Sequence, residues 1–359
     1  MCIRDRYLDL LALGTVADVV PLDFNNRILV AQGLSRIRCK KACVGIQAIL
    51  AVAGKSSGSI SSSDLGFALG PRLNAAGRLD DMALGVRCLI TDDEYEATDI
   101  AQQLDGLNAD RKLIESGMQS EALKTLEQIH VDKQSASAIC LYQADWHQGV
   151  VGIVASRIKD RVHRPCIVFA KAEDGSLKGS GRSITGIHLR DVLDEVAKLK
   201  PSILKKFGGH AMAAGLSLDE KDLDVFEKTF RRVVAEKLSE DMKSPVVISD
   251  GCLSPKQLTL EFAHILKGAG PWGQHFSEPL FDDQFVVVQQ RIVGQKHLKL
   301  VLSLESNSEV IFDAIAFNVD LNVWPNLSIE KVVVVYKLDV NEFRGRQSLQ
   351  LLIDYIEPC

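Results

Sequence analysis

The sequence predicts a multi-domain α/β protein that closes with a small β-barrel. Three observations carry this reading. The 359 residues exceed what one ordinary core holds, so two or three domains are expected. The middle of the chain alternates short β-rich runs with helical runs. The region 245–359 is dominated by β patterning after one short helix.

In order along the chain, region 1–92 alternates apolar helical patterns with Gly-rich turns, and Lys55 to Ser63 is a Ser/Gly-rich loop. From 93 to 129, Ile100, Leu104, Leu107, Ile114 and Met118 recur at helical steps while Asp, Glu, Lys and Arg fill the other faces. One long connecting helix is expected there, weakened modestly by Gly106 and Gly117. Region 130–242 reads as strands at 138–142, 165–170, 177–184 and 213–218 between helices at 149–161, 188–199 and 221–238. That is the pattern of a sheet sandwiched by helices. In region 245–359, β runs at 285–304, 309–318, 331–343 and 346–356 follow the short helix, with Asn341 to Arg346 as a polar turn. About five strands in that length suit an OB-like closed barrel, with a half-sandwich as the alternative.

Composition excludes several classes. Hydrophobic residues make up 46% and charged residues 25%, a globular balance. No run approaches the ~20 apolar residues of a membrane span. The opening Met1-Cys2-Ile3-Arg4-Asp5-Arg6 lacks the apolar core of a signal peptide, so a cytoplasmic location is expected. The eight cysteines form no CxxC pair, and Cys140 and Cys166 lie in apolar runs. Buried free thiols are expected rather than zinc ligands or disulfides. A net charge of −5 argues against a wholesale electrostatic nucleic-acid binder but leaves room for a local basic groove. No P-loop, nucleophile elbow or HExxH motif occurs.

Several segments have the makings of a site. In Leu13-Gly14-Thr15-Val16-Ala17-Asp18-Val19-Val20-Pro21-Leu22, a carboxylate sits within an apolar stretch. A buried carboxylate needs compensation, from a divalent cation or from backbone N–H groups at a helix cap. In Gly70-Pro71-Arg72-Leu73-Asn74-Ala75-Ala76-Gly77-Arg78-Leu79, small residues permit close approach, and Arg72, Asn74 and Arg78 can donate to phosphate oxygens. A tight helix–helix contact with solvated arginines fits the same residues. Gly179-Ser180-Gly181-Arg182-Ser183 is a candidate phosphate cradle, or a surface turn. In Phe207-Gly208-Gly209-His210-Ala211-Met212-Ala213-Ala214-Gly215, the Gly208-Gly209 pair offers backbone N–H groups and His210 a ring donor. Trp146 precedes a helix and suits either base stacking or core packing. In the barrel region, Phe343, Arg344 and Arg346 cluster at a turn, with Arg291, Lys296, His297 and Lys299 on another β run. Basic and aromatic residues on barrel strands suit single-strand binding, and a solvated hairpin is the alternative.

Taken in order, LALGTVADVVPL (11–22), GPRLNAAGRL (70–79), WHQGVVGIVASRI (146–158), SGRS (180–183), GGHAMAAG (208–215), RIVGQKHLKL (291–300) and LDVNEFRGRQSLQLLI (338–353) closely resemble the RecJ-type exonucleases of the DHH phosphoesterase family. The resemblance runs from about Tyr7 to the C-terminus. It implies the C-terminal part of a DHH catalytic domain at 1–92, a connecting helix at 93–129, a DHHA1 substrate-binding domain at 130–242 and an OB-like single-strand-binding domain at 245–359. It implies 5′→3′ hydrolysis of single-stranded DNA by a two-metal Mn²⁺ or Mg²⁺ mechanism, in DNA repair and recombination. Asp18 would be the last carboxylate ligand of the metal pair. Arg78, Ser180 and Arg182 would bind phosphates at the 5′ end or the scissile region, and Asn74 and His210 would help place the strand. Single-stranded DNA is the implied partner of a monomer, with helicases and single-strand-binding proteins as candidate further partners. Two alternatives are a DHH phosphodiesterase of short oligonucleotides or cyclic dinucleotides, against which the barrel and long helix argue, and a non-catalytic single-stranded-DNA-binding scaffold.

The sequence also departs from that family. Asp-His-His occurs nowhere in it, and residues 1–6 do not follow the family pattern. The expectation is a fragment whose Asp18 lacks its partner ligands, and which binds single strands without cleaving them. Poor solubility of an isolated 1–92 segment is a second expectation.

Overall fold

The computed structural model describes residues 3–128, 136–305 and 307–359. In chain order the principal elements begin with α1 (Leu8–Ala17), α2 (Phe24–Arg38), α3 (Val44–Val52), α4 (Ser62–Asp64), a π-helical turn (Leu65–Leu69), α5 (Gly70–Leu79), α6 (Ala83–Ile90) and α7 (Glu94–Gln128). Then come β1 (Ile139–Tyr142), α8 (Val151–Val162), β2 (Cys166–Lys171), β3 (Leu177–Arg182), α9 (Leu189–Leu199), β4 (Leu204–Gly209), β5 (Ala213–Leu218) and α10 (Leu223–Lys237). The chain finishes with α11 (Leu260–Ala269), β6 (Phe281–Val293), β7 (His297–Leu304), β8 (Asn307–Ala316), β9 (Lys331–Phe343) and β10 (Arg346–Pro358). These form two compact units, one of Met1–Gly70 with Val247–Cys359 and one of Pro71–Val246. The expected segment 1–92 is thus shared between them. Ile129 and residues 130–135, which the expected helix and second region include, lie outside the described residues.

In the unit Pro71–Val246, the long helix starts where a capping residue stops the preceding chain. Asp93 accepts from the backbone N–H groups of Tyr95 and Glu96 at 2.8 and 3.1 Å. The five-stranded sheet has the order β1-β2-β3-β5-β4, with β1 and β2 parallel and the other pairs antiparallel. Strand β2 is apolar on both faces because helices cover both. Ile167 and Phe169 pack with Leu189, Val192, Phe226 and Phe230 of α9 and α10. Cys166, Val168 and Ala170 pack with Val154, Ala155 and Ile158 of α8 and with Met118 and Ala122 of α7. This is the helix–sheet–helix sandwich that the alternation predicts. Strand β4 has no counterpart among the expected strands. Its Lys205, Lys206, Gly208 and Gly209 have weak strand propensity, and it forms as the sheet's edge, where lysines are tolerated.

In the other unit, α1 and α2 touch backbone to backbone: a Cβ on Gly33 would lie 2.2 Å from the carbonyl oxygen of Leu8. Asp9 is fully buried, accepts from the N–H of Cys43 at 2.6 Å and so anchors the start of α3, with Arg36 at 3.6 Å. The segment 270–276 ties these helices to the barrel. The Leu22 N–H donates to the Gln274 carbonyl and the Ser62 hydroxyl to the Trp272 carbonyl, both at 2.7 Å. Trp272 stacks on Phe276, and the Arg27 guanidinium lies 4.1 Å from the centre of the Phe276 ring.

The barrel is closed, in the order β10-β8-β7-β6-β9, which settles the choice between OB-like barrel and half-sandwich in favour of the barrel. Its core holds Phe285, Leu300, Leu302, Ala314, Val334, Tyr336 and Leu351, with Ala263 of α11. The apolar run 285–304 is two strands. Gly294 and Gln295, both with positive φ, fold it into a hairpin. Among the described residues no helix is long and apolar enough to cross a membrane.

Candidate nucleic-acid interface

The sequence-predicted residues of the unit Pro71–Val246 converge on the start of α8. The turn before this helix is fixed by Trp146, whose indole N–H donates to Glu121 of α7 at 2.8 Å. Trp146 is 4% exposed, so its ring faces belong to the core. The base-stacking role considered for it is therefore corrected to packing: the apolar side of α7 and α8 claims the indole. Further along this turn, Gly149 meets the end of α5. A Cβ there would lie 2.2 Å from the carbonyl oxygen of Arg78, while the Arg78 guanidinium donates to the Gly149 carbonyl at 3.1 Å. In the first turn of the helix, a Cβ on Gly152 would lie 3.0 Å from both the Ser180 hydroxyl and an Arg182 nitrogen.

Strand alternation decides what β3 offers. Gly179 and Gly181 do not form the phosphate cradle that their sequence suggests. A Cβ on Gly179 would lie 2.6 Å from the Phe169 ring and one on Gly181 2.7 Å from Leu189, so both glycines make room for the core. Ser183 is also withdrawn, being 1% exposed and donating to the Ile187 carbonyl. Ser180 and Arg182 point to the opposite face, toward Gly152. There Arg182 donates to the Ser180 hydroxyl at 3.0 Å and to the Gly181 carbonyl at 2.8 Å.

The site carries surplus positive charge. Neither Arg78 nor Arg182 has a carboxylate within ion-pair distance among the described residues. Burial, and then the nearby charge of Arg111, pull the Arg78 guanidinium below the usual arginine range, with Glu115 opposing. Burial, and then Arg78, do the same to Arg182. Arg78 is exposed and Arg182 half-buried beside it, and a guanidinium partly withdrawn from water next to another is relieved by an anion. Arg72, by contrast, is committed to Asp105 at 2.8 Å. Asn74 is exposed one turn before Arg78 on α5.

The GGH segment continues this surface across the sheet. Ser180 pairs in register with Gly215 of β5, which pairs with Gly208 of β4. A Cβ on Gly208 or Gly215 would meet nothing within 4 Å, so the row Ser180–Gly215–Gly208 is a bare, open strip of sheet. Gly209 has a different reason to be glycine. Its φ is +146°, and a Cβ would lie 2.4 Å from the Ala213 carbonyl oxygen. The pair Gly208-Gly209 thus lies in a strand ladder rather than an open loop. His210 follows it, exposed, with its backbone N–H donating to Ala213 at 2.8 Å.

Asp18 and Arg344 belong to the other unit. Asp18 is the C-terminal cap of α1 and is exposed, as are Val19 and Val20 beside it. Both expectations for it, a buried carboxylate and a cap accepting backbone N–H groups, are corrected. The helix ends at Asp18, where its own backbone N–H donates to Gly14, and Val19 with φ +56° turns the chain outward. Among the described residues no group of three or more His, Cys, Asp or Glu is placed to hold a metal ion. Arg344 sits with Gly345 in a two-residue turn, both at positive φ, and lies 5.2 Å from the centre of the exposed Phe343 ring. Arg291 and Lys299 line a cavity of about 320 Å³ on the barrel with Gln289, Leu300, Val301 and Asp313, where Lys299 pairs with Asp313 at 3.3 Å.

Sequence reasoning missed a second group, Asn108, Arg111 and Glu115 of α7 with Arg157 of α8. Its signal was legible as Asn, Arg and Glu spaced by three and four residues on one helix face. Arg111 donates to Glu115 at 2.9 Å and to Asn108 at 3.1 Å, and Arg157 donates to Glu115 at 3.1 Å.

Comparison with known proteins supplies the frame. The family models for the DHHA1 domain and for the RecJ OB domain match residues 135–236 and 249–355. The single-stranded-DNA-specific exonuclease RecJ of Escherichia coli is 54% identical over 352 residues, covering 98% of this chain and 61% of that protein. The protein of the same name from Bacillus subtilis is 33% identical, covering 97% of this chain and 44% of its own length. A crystal structure of RecJ in complex with Mg²⁺ from Thermus thermophilus superimposes with a TM-score of 0.82 at 28% identity, over 100% of this chain and 53% of that one. A structure of exonuclease RecJ bound to manganese gives a TM-score of 0.56 at 33% identity, over 68% of this chain and 59% of that one. This chain spans at most about 61% of the length of the curated relatives it matches. One relative is matched along almost the whole chain at 54% identity, and the DHHA1 and RecJ OB domains follow each other along it, so the chain is similar to RecJ over 98% of its length and carries both of these domains.

Proposed function

We propose that this chain is the strand-gripping part of a 5′→3′ exonuclease that hydrolyses single-stranded DNA in repair and recombination. The observation that carries the reading is the convergence of Arg78, Ser180 and Arg182 on the first turn of α8. The two guanidiniums, the hydroxyl and the helix start offer hydrogen-bond donors to one anion, and a terminal phosphate with more than one negative charge fits best. The bare strip of Gly215 and Gly208 lets a sugar-phosphate backbone lie against the sheet, with Asn74 and His210 at its margins. In the barrel, Arg344 on Phe343 suits contact with the incoming strand.

The domain roles follow: a DHH remnant at 1–92, a connecting helix at 93–129, a DHHA1 substrate-binding domain at 130–242 and a single-strand-binding barrel at 245–359. In the complete enzyme a Mn²⁺ or Mg²⁺ pair supplies the hydrolytic chemistry, and Asp18 would be one ligand. The described residues of this chain do not fit such a pair, because Asp18 stands exposed and no group of three or more His, Cys, Asp or Glu among them is placed to hold a metal. The residues argued above bind and orient the strand; they carry no hydrolytic step. A cytoplasmic monomer meeting helicase and single-strand-binding protein on the same DNA completes the reading.

The experiment is equilibrium binding of the 359-residue chain to a short oligothymidylate with a 5′-phosphate or a 5′-hydroxyl. The 5′-phosphate form is expected to bind about tenfold more tightly, the scale of one charge-assisted contact. Equal binding of the two would overturn the assignment of the Arg78–Arg182 site.

A further inference from the structure

The cluster around Glu115 goes beyond the site just described. Glu115 lies on the face of α7 that packs against α8, with its side chain only 11% exposed. Arg111, also nearly buried, meets one carboxylate oxygen at 2.9 Å and is held on its other side by Asn108. That pair is neutral by itself. Arg157 of α8 is a second cation on the same carboxylate, donating through Nε to the other oxygen at 3.1 Å. The Arg157 side chain is 58% exposed and makes no further hydrogen bond or ion pair among the described residues. The two arginines and one carboxylate therefore leave a net positive charge, and Arg157, fixed at Nε, is the exposed member that carries it.

A solvated surface arginine has no need of a carboxylate withdrawn from water, which costs desolvation energy. An arginine that must hold a set direction does. The location agrees. Arg157 stands on the helix whose Gly152 touches Ser180 and Arg182, about 7.5 Å further along the axis and about 140° around it, on the side that meets α7. The charges of Arg111 and Glu115 also reach Arg78, so the clamp lies within electrostatic range of the first phosphate site. We propose that Arg157 binds the second phosphate of an extended single strand, with Glu115 as the residue that positions it. The proposal rests on the reading of Arg78, Ser180 and Arg182 as the first phosphate site.

The test measures binding of thymidine 5′-monophosphate and of 5′-phosphorylated trithymidylate to the full chain over a series of salt concentrations. Arg157→Met is expected to leave the mononucleotide unchanged within twofold and to weaken the trinucleotide about tenfold. Its salt slope for the trinucleotide should fall by about 0.7, the value for one phosphate on a single strand. Glu115→Gln keeps the Arg157 charge but loosens its stem, so it should lower trinucleotide affinity relative to that for the mononucleotide, and by less than Arg157→Met does. Arg182→Met should weaken both ligands. Equal losses of both ligands in Arg157→Met, or no loss of either, would overturn the second-phosphate role while leaving the first site standing. If Arg182→Met weakens neither, the first site fails and the second falls with it. Thermal melting of each variant separates lost contacts from lost fold, and Arg157→Lys, which keeps the charge without the fork, should restore most of the salt slope.

Discussion

Arg78 and Gly149 hold each other twice. The Arg78 guanidinium donates to the Gly149 carbonyl at 3.1 Å, and the Arg78 carbonyl oxygen stands 2.2 Å from where a Cβ on Gly149 would be. The second contact is what gives the first its geometry, because only a residue without a side chain lets α5 end against the start of α8. Gly149→Ala must push the two backbones apart. The expected cost is roughly 1–3 kcal/mol of stability, typical of forced overpacking. Arg78 moves with its helix, so 5′-phosphorylated oligonucleotide should bind about tenfold more weakly. Chemical denaturation and binding measured on one preparation check both. Unchanged stability would show that the contact is not tight.

Arg182 makes a sharper case, because its hydrogen bonds run to its own strand neighbours and removing them leaves little of the core unsatisfied. Arg182→Met keeps the length of the side chain and deletes the charge. Stability is expected to stay within about 0.5 kcal/mol, or to rise, since Arg78 loses a repelling neighbour. Preference for a 5′-phosphate should vanish. A variant that keeps the preference would remove Arg182 from the site.

The sheet strip allows a comparison between adjacent glycines. Gly208→Ala adds a methyl group into open space, so folding is unaffected while the strand lying on Gly208 and Gly215 is displaced. Gly209→Ala puts a side chain at φ +146° against the Ala213 carbonyl, a strain of several kcal/mol that disrupts the β4–β5 hairpin. Melting temperatures should therefore separate the two variants, with only the second falling. Oligonucleotide affinity should drop in both. A Gly208→Ala protein with native affinity would mean the strip carries no ligand.

How much of this was legible beforehand follows from what each residue's signal depends on. The sandwich around β2 was readable because short β-rich runs alternate with helical runs between 138 and 238. The barrel was readable from its strand count. Strand β4 was not, because Lys205, Lys206, Gly208 and Gly209 acquire strand geometry only from β5 beside them. Gly179 and Gly181 read as a ligand loop in sequence, yet Phe169 and Leu189, which claim their space, come from other elements. Ser180 and Arg182 were legible as a pair, but the alternation that turns them toward α8 needed the strand's register. Trp146 and Arg157 show the same limit: both precede or occupy α8, and only packing tells which is core and which is exposed.

Trp146 gives that limit a test. Its indole N–H bonds to Glu121, and its ring is buried among α7 and α8. Trp146→Phe should cost about 1–3 kcal/mol, from the lost hydrogen bond and the lost volume. Affinity for oligonucleotides, compared well below the melting temperature, should change less than twofold, because no ring face is offered to a base. A large, selective loss of affinity with unchanged stability would restore the stacking role.

Asp18 decides whether this chain can act on DNA by itself. An exposed carboxylate outside any cluster of three or more ligand-type side chains among the described residues competes poorly with water for a divalent cation, which prefers several oxygen donors at once. A cation bound to the folded chain would raise its melting temperature as binding free energy adds to stability. Millimolar Mn²⁺ or Mg²⁺ is therefore expected to leave the melting temperature of the 359-residue polypeptide unchanged. Single-stranded DNA should bind but remain uncut in either metal. Asp18→Asn should be indistinguishable from the parent chain in stability, since its side chain is exposed at the helix end. A Mn²⁺-dependent rise in melting temperature that disappears in Asp18→Asn, together with release of nucleotides from single-stranded DNA, would show that the described residues hold a working metal site after all.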